Sequence, residues 1–120
     1  MAITMQVLDW FDFEAASKSF TFDRKTYLKF LFAMVHQGRG LCDQAVTEFN
    51  SGRHLVAARH LHTLIGSASS LALPLIHDVG REAEAACESA QAQAFTEALD
   101  RLRSLLNELE LALTRIAPSA

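Results

Sequence analysis

The sequence predicts an all-α protein, an antiparallel up-down four-helix bundle with a short extra N-terminal helix. Ala and Leu, which favour helix, number 36 of the 120 residues, whereas the β-branched Val and Ile number nine. Gly and Pro together number seven, too few for the many turns of an all-β domain. The last part of the chain also carries a long apolar seam at helical spacing. The length suits one domain, residues 1–120.

The first half of the chain predicts a short helix and a long one. The aromatic-rich stretch 7–20 reads as a short helix or a lead-in. Asp23 can N-cap the long helix that follows. Gly38 and Gly40 interrupt this helix and could bend or split it, and Asn-Ser-Gly at 50–52 is a turn signal. The apolar residues expected on its inner face are Tyr27, Leu31, Met34 or Val35, Leu41, Ala45 and Phe49.

The second half predicts three more helices. The first spans about 53–71, and Pro74 suits the first turn of the next, about 74–89. The last spans about 93–116 and carries an apolar seam at Phe95, Leu99, Leu102, Leu106, Leu109, Leu113 and Ile116. Such a seam could join two chains as a coiled coil. Its flanks carry little complementary charge and the other helices also need partners, so an intramolecular bundle and a monomer are favoured.

The helix over residues 53–71 carries the candidate site. Its buried stripe is predicted at Ala57, Leu61, Leu64, Ala68 and Leu71. At about 100° per residue, His62, Arg59 and Gly66 lie roughly 140° to 180° from the centre of that stripe and face solvent. Ser69 and Ala58 lie at roughly 100° to 120° on the same scale. His62 is therefore the outward histidine, and its neighbours on the outer face are small.

Gly66 is an unexpected residue on this outer face. Glycine inside a helix costs about 1 kcal/mol relative to alanine, and Gly66 points away from the bundle, where close packing could offset that cost. The other use of glycine is to let a foreign backbone approach closely. Gly66 follows His62 by one turn. The pair predicts an exposed imidazole beside a surface that is free for another protein.

Charge and cysteine content exclude several function classes. The net charge of −3 does not suit a nucleic-acid binder. Cys42 and Cys87 are too few for a metal framework and read as buried thiols of a cytoplasmic protein. No signal peptide or transmembrane run is apparent. Residues 49–77 contain four of the five histidines and no acid. A helical metal site usually needs histidine or carboxylate pairs four residues apart on one face, and these histidines do not provide such pairs.

The sequence around His62 resembles the histidine-containing phosphotransfer domains of bacterial multistep phosphorelays. The signature of that family is roughly A-H-x-L-K-G-x-A-x-x-L-G, and residues 61–72 read L-H-T-L-I-G-S-A-S-S-L-A. The resemblance extends from about Asp23 to the end of the fourth helix, and the closing helix fits the bundle. The positions that match the signature are His62, Leu64, Gly66, Ala68 and Leu71.

Three positions depart from the family pattern. Ala72 replaces the second glycine and Leu61 replaces the small residue before the histidine, and both are expected to be conservative in a helix. Ile65 stands where the family usually has a lysine near the phosphoryl group. Arg59 could supply a substitute cation. Alternatively, Ile65 enlarges an apolar docking patch.

The resemblance implies a phosphorelay intermediate. Its His62 would accept a phosphoryl group from a receiver-domain aspartate and pass it to another receiver. Because an imidazole is mostly neutral near pH 7, one of its ring nitrogens can attack phosphorus. The receivers would supply Mg²⁺, and a hybrid sensor histidine kinase would be a further partner. The chain has no Gly-rich phosphate loop and is not expected to be an enzyme with its own ATP site. The residues expected to dock the partner are Gly66, Ile65, Arg59, Ala58 and Ser69.

One alternative has the same fold but a different role. The chain could be a degenerate bundle that only binds a partner, with His62 never phosphorylated. Ile65 in place of the lysine is the feature that favours this alternative. Acid-labile, base-stable phosphate on the protein would decide against it.

Overall fold

Five α-helices make up most of the computed structural model, which describes residues 8–18 and 23–116. The helices are α1 (Phe13–Lys18), α2 (Arg24–Asn50), α3 (His54–Ser70), α4 (Pro74–Glu88) and α5 (Ala92–Ile116). Helix α3 packs against α2 and α4, and α5 closes the bundle by packing against the same two helices. Because short turns join α2 to α5 in sequence, successive helices run antiparallel. The predicted all-α bundle with a short N-terminal helix is confirmed.

Helix α2 begins at the predicted cap and continues without a break. The side chain of Asp23 accepts a hydrogen bond from the backbone N–H of Thr26 at 2.7 Å, and this bond lowers the pKa of the Asp23 carboxyl below its usual value of 3.8. The helix runs through Gly38 and Gly40 to Asn50, so of the two expected effects of these glycines, a bend or a split, the split does not occur. Gly38 is buried against α5, where an added Cβ would lie 3.2 Å from Leu106 Cδ1.

One residue predicted on the inner face of α2 is not buried there. Leu41 is only partly buried, and Cys42 is fully buried in its place. Gly38, Cys42, Ala45 and Phe49 follow one another at helical spacing on the buried face. The prediction counted only larger apolar side chains and therefore placed Leu41 there. Both cysteines are buried as expected, and burial raises the pKa of the Cys42 and Cys87 thiols to about 11.

Two of the helix-joining turns place alanine in the left-handed region. Ala72 has φ 59° between α3 and α4, and Ala90 has φ 55° between α4 and α5. The expectation that Ala72 sits conservatively in a helix is therefore wrong. The backbone N–H of Leu73 closes the turn by donating to the carbonyl of Ala68 at 2.9 Å. Glycine favours this conformation and other residues incur about 1–2 kcal/mol, so the family's glycine would suit position 72 better.

The segment before α2 packs onto the bundle through aromatic residues. Phe13 stacks on Tyr27 with ring centroids 5.6 Å apart, and the Tyr27 hydroxyl donates to the carbonyl of Leu71 at 2.7 Å. Burial raises the pKa of Tyr27. Trp10 donates from Nε1 to Glu108 of α5 at 3.0 Å. Of the predicted lead-in 7–20, Val7, Ser19 and Phe20 lie outside the described residues.

The apolar seam of α5 lies inside the bundle. It is buried along its length, with only Ile116 partly exposed. Phe95 stacks on Phe49 of α2 with ring centroids 4.2 Å apart. Helices α2 and α4 thus cover the seam, in agreement with the predicted intramolecular bundle. Across residues 8–18 and 23–116, no helix combines the length and apolarity that crossing a bilayer demands.

Candidate functional site

Helix α3 presents His62 to solvent. The predicted stripe of Ala57, Leu61, Leu64, Ala68 and Leu71 is buried against the neighbouring helices. This orientation is enforced by the burial of the leucines, since a rotation that hid His62 would expose them. The His62 side chain is 76% exposed. The predicted exposure of the imidazole is confirmed.

The His62 ring is held by a carboxylate from the adjacent helix. His62 Nδ1 lies 3.1 Å from Oε2 of Glu84 on α4. An ionised carboxylate can only accept a hydrogen bond, so Nδ1 is the protonated nitrogen. In the neutral ring the proton on Nδ1 leaves Nε2 with its lone pair free. The Glu84 side chain is only 20% exposed, so the ring is anchored at Nδ1 from the side of the bundle, and this contact does not involve Nε2.

A shallow hollow surrounds the ring on the α4 side. It is lined by Leu55, Ala58, Arg59, His62, Glu84 and Glu88. Arg59 is exposed and precedes His62 by about one turn, as predicted. Leu55 is 68% exposed and adds an apolar edge. The charged side chains that line this hollow beside His62 are thus one guanidinium and two carboxylates.

Gly66 opens the other side of the face. An added Cβ on Gly66 would meet no atom within 4 Å, which confirms that it points outward into free space. Together with Ser67 and Ser70 it lines a groove between α3 and α2. Ser69 is exposed beside it. We call the exposed surface of His62, Gly66 and Ser69, with this groove, the docking face, after the role predicted for it.

Two residues expected on the docking face are not exposed. Ala58 is 5% exposed and Ile65 is 7% exposed. Both lie on the flank of α3 that α4 covers, because α3 has a neighbour on each side and not only beneath it. Ile65 therefore packs toward α4, close to Gly80, and does not enlarge an apolar docking patch.

Glu84 is the residue that the sequence analysis missed. The α3–α4 turn is centred near Ala72, so residues at similar distances before and after it lie opposite each other. His62 precedes Ala72 by ten residues and Glu84 follows it by twelve. The antiparallel register was therefore the signal that could have identified this carboxylate.

The remaining histidines do not form a metal cluster with acids. His54 packs on Phe49 with ring centroids 4.5 Å apart, and His77 Nδ1 lies 3.0 Å from Asp78 Oδ1. Among residues 8–18 and 23–116, no three His, Cys, Asp or Glu side chains are grouped as metal ligands would be.

The comparisons with known proteins gave one match. A family model described as Hpt domain matches residues 28–112. The match covers most of α2, all of α3 and α4, and most of α5, and so includes His62, Gly66 and Glu84. No curated protein and no solved structure matches the chain.

Proposed function

Since the chain belongs to the Hpt domain family, whose members have a phosphotransfer role in phosphorelays, we propose that His62 is its phosphoacceptor. The observation that carries this proposal is the geometry of one ring. The His62 side chain is 76% exposed and Glu84 holds its Nδ1, so Nε2 is the ring nitrogen left for attack on phosphorus. Glycine one turn later keeps the adjacent surface clear. A large partner can therefore bring a phosphorylated side chain to Nε2.

The transfer step needs no proton to move. Nε2 attacks phosphorus with its lone pair, the N–P bond forms, and the P–O bond to the receiver's aspartate breaks, so that the aspartate leaves as a carboxylate. The ring now carries a positive charge, with its proton still on Nδ1. Glu84 accepts that proton's hydrogen bond before and after transfer, and its charge stabilises the charged ring. Transfer to the next receiver reverses the same bonds.

Hpt domains are phosphocarrier modules, and this chain would act as one between two receiver domains. The domain supplies the nucleophile and the docking face, while the receiver supplies its aspartyl phosphate and the Mg²⁺ of its own site. Arg59 would lie beside the phosphoryl group in place of the family lysine. Ile65 is not available for contact with a receiver, since it is buried against α4.

The proposed function is tested by phosphotransfer from isolated receivers. Receiver domains of the source organism, phosphorylated with labelled phosphate, are mixed one at a time with the protein. We expect label on this chain that is acid-labile and stable to alkali, and ³¹P NMR should place it on Nε2. Absence of label with every receiver, or an alkali-labile acyl phosphate, would contradict the proposal and favour the adaptor alternative.

Gly66→Gln should stabilise the fold and weaken transfer. The position is an exposed helix interior with open space around it, so replacing glycine raises the free energy of unfolding by up to about 1 kcal/mol. The long side chain would lie where the receiver approaches. Denaturant unfolding and the transfer rate measure the two effects. Ser104→Gln, on the exposed face of α5, is the control and should transfer normally; equal transfer by both variants would remove the docking role of Gly66.

Glu84→Ala should slow phosphotransfer without unfolding the bundle. The substitution removes the acceptor for Nδ1–H, so the ring rotates and its proton distributes over both nitrogens. We expect a decrease of about 10-fold to 100-fold, by analogy with metal-ligating histidines that lose the group that orients them. Glu88 lines the same hollow without a hydrogen bond to His62, so Glu88→Ala serves as the control. A rate unchanged by Glu84→Ala would show that the carboxylate has no part in transfer.

A further inference from the structure

Helices α3 and α4 make two successive contacts beside the docking face. In the first, His62 of α3 meets Glu84 of α4. In the second, Ile65 of α3 meets Gly80 of α4. His62 and Ile65 lie three residues apart on α3, and Gly80 and Glu84 lie four residues apart on α4, so each pair shares a helix face. The spacing of the two helices at Gly80 therefore governs the spacing at Glu84, one turn away.

The contact at Gly80 has no room for a side chain. A Cβ added to Gly80 would lie 2.9 Å from Ile65 Cγ1 and 3.6 Å from Leu64 Cδ2. Isoleucine is branched at Cβ and holds one preferred χ1 in a helix, so its Cγ1 cannot swing aside. A flexible side chain at position 65 could yield, whereas Ile65 would transmit the displacement to the helix backbone. The contact thus joins a side chain of fixed rotamer, Ile65 on α3, to a residue without a side chain, Gly80 on α4.

We propose that Gly80 is a positioning residue, which sets the α3–α4 distance at which Glu84 reaches His62. Its effect on phosphotransfer rests on the proposed function, but its effect on the imidazole does not. Ile65, which departs from the family pattern, acquires a role here as the fixed side of this contact. Neither residue touches the phosphoryl group.

The experiment uses Gly80→Ala and the ¹⁵N chemical shifts of the His62 ring. At about pH 8, where an imidazole is neutral, the wild-type ring should show Nδ1 protonated and Nε2 free. In Gly80→Ala the helices separate, the bond to Glu84 weakens, and the two ¹⁵N shifts should converge as the tautomers mix. Transfer from a phosphorylated receiver should fall by up to about 100-fold, as displacements near 1 Å can do. The ring of His77, which is paired with Asp78, serves as an internal reference.

Two further variants separate positioning from loss of stability. Gly38→Ala is the matched control, because the atoms nearest to its Cβ would be terminal methyl groups of Leu106 on α5 and Leu64 on α3, outside the α3–α4 contact. It should leave the His62 shifts unchanged. In Ile65→Ala/Gly80→Ala the new methyl group occupies the space that Ile65 Cγ1 leaves, so the wild-type tautomer should return. Circular dichroism checks that each variant is helical.

The outcomes distinguish the two proposals. Wild-type ¹⁵N shifts in a folded Gly80→Ala would overturn the positioning role, and so would mixed tautomers that persist in the double variant. If Gly80→Ala does not fold, the double variant still decides, since it must show the wild-type tautomer. A wild-type protein that accepts no phosphate from any receiver overturns the proposed function alone, and the NMR result for Gly80 stands independently.

Discussion

His62→Gln is expected to abolish phosphoryl transfer to this protein, while His60→Gln transfers at the wild-type rate. Glutamine fills a volume similar to that of the imidazole but has no nitrogen lone pair for attack on phosphorus, because its amide nitrogen is delocalised into the carbonyl. His60 lies two residues earlier on the same helix and is partly buried toward α2, where it lines a different hollow. The two variants therefore differ in orientation and share the same chemistry.

This first prediction is measured by the label on the protein after mixing with a phosphorylated receiver. We expect no detectable labelled band for His62→Gln and a normal one for His60→Gln. Both variants should keep the unfolding midpoint of the wild type, which excludes misfolding as the cause. Persistent acid-labile label on His62→Gln would assign the phosphoryl group to another histidine and refute the proposed site.

Leu64→Ala is expected to cause a large loss of stability. Leu64 is fully buried in the bundle, where its two methyl groups lie 3.6 Å from the points that an added Cβ would occupy on Gly38 of α2 and Gly80 of α4. Removing three buried carbon atoms leaves a cavity lined by helices that already pack closely. The free energy of unfolding should fall by about 3–5 kcal/mol and the melting temperature by roughly 10–20 °C.

Leu55→Ala is the matched control for this second prediction. It is the same substitution on the same helix, at a side chain that is 68% exposed, and it should change the free energy of unfolding by no more than about 0.5 kcal/mol. Urea or thermal unfolding followed by circular dichroism measures both variants. Similar losses for the two leucines would mean that α3 is not oriented as described.

The orientation of α3 could be predicted because one periodic pattern determines it. Five small or apolar residues at alternating spacings of four and three leave only one way to bury the helix, and His62 and Gly66 then face outward. The same reasoning failed for Ala58 and Ile65. A single stripe assumes one buried direction, whereas α3 packs against two helices and is covered over a wider arc. The flank of α3 about 100° from the stripe centre, which was predicted to face solvent, is therefore buried.

Other features depend on contacts between distant parts of the chain. Glu84 belongs to a different helix from His62, and only the length of the α3–α4 turn relates the two positions. Ala72 has no local sign of its positive φ, because alanine is the residue most favourable to helix. The pairing of Gly80 with Ile65 likewise follows from register and not from the composition of either helix.

The attachment of Trp10 to α5 gives the molecule an internal optical probe. Trp10 is the single tryptophan of the chain, it is partly buried, and its indole N–H is bonded to Glu108. Helix α5 packs on α2 and α4 and lies across the bundle from α3. The intrinsic fluorescence of this indole therefore reports whether the segment around Trp10 remains packed on α5. If a receiver docks over His62 as proposed, the emission of Trp10 should stay unchanged on binding.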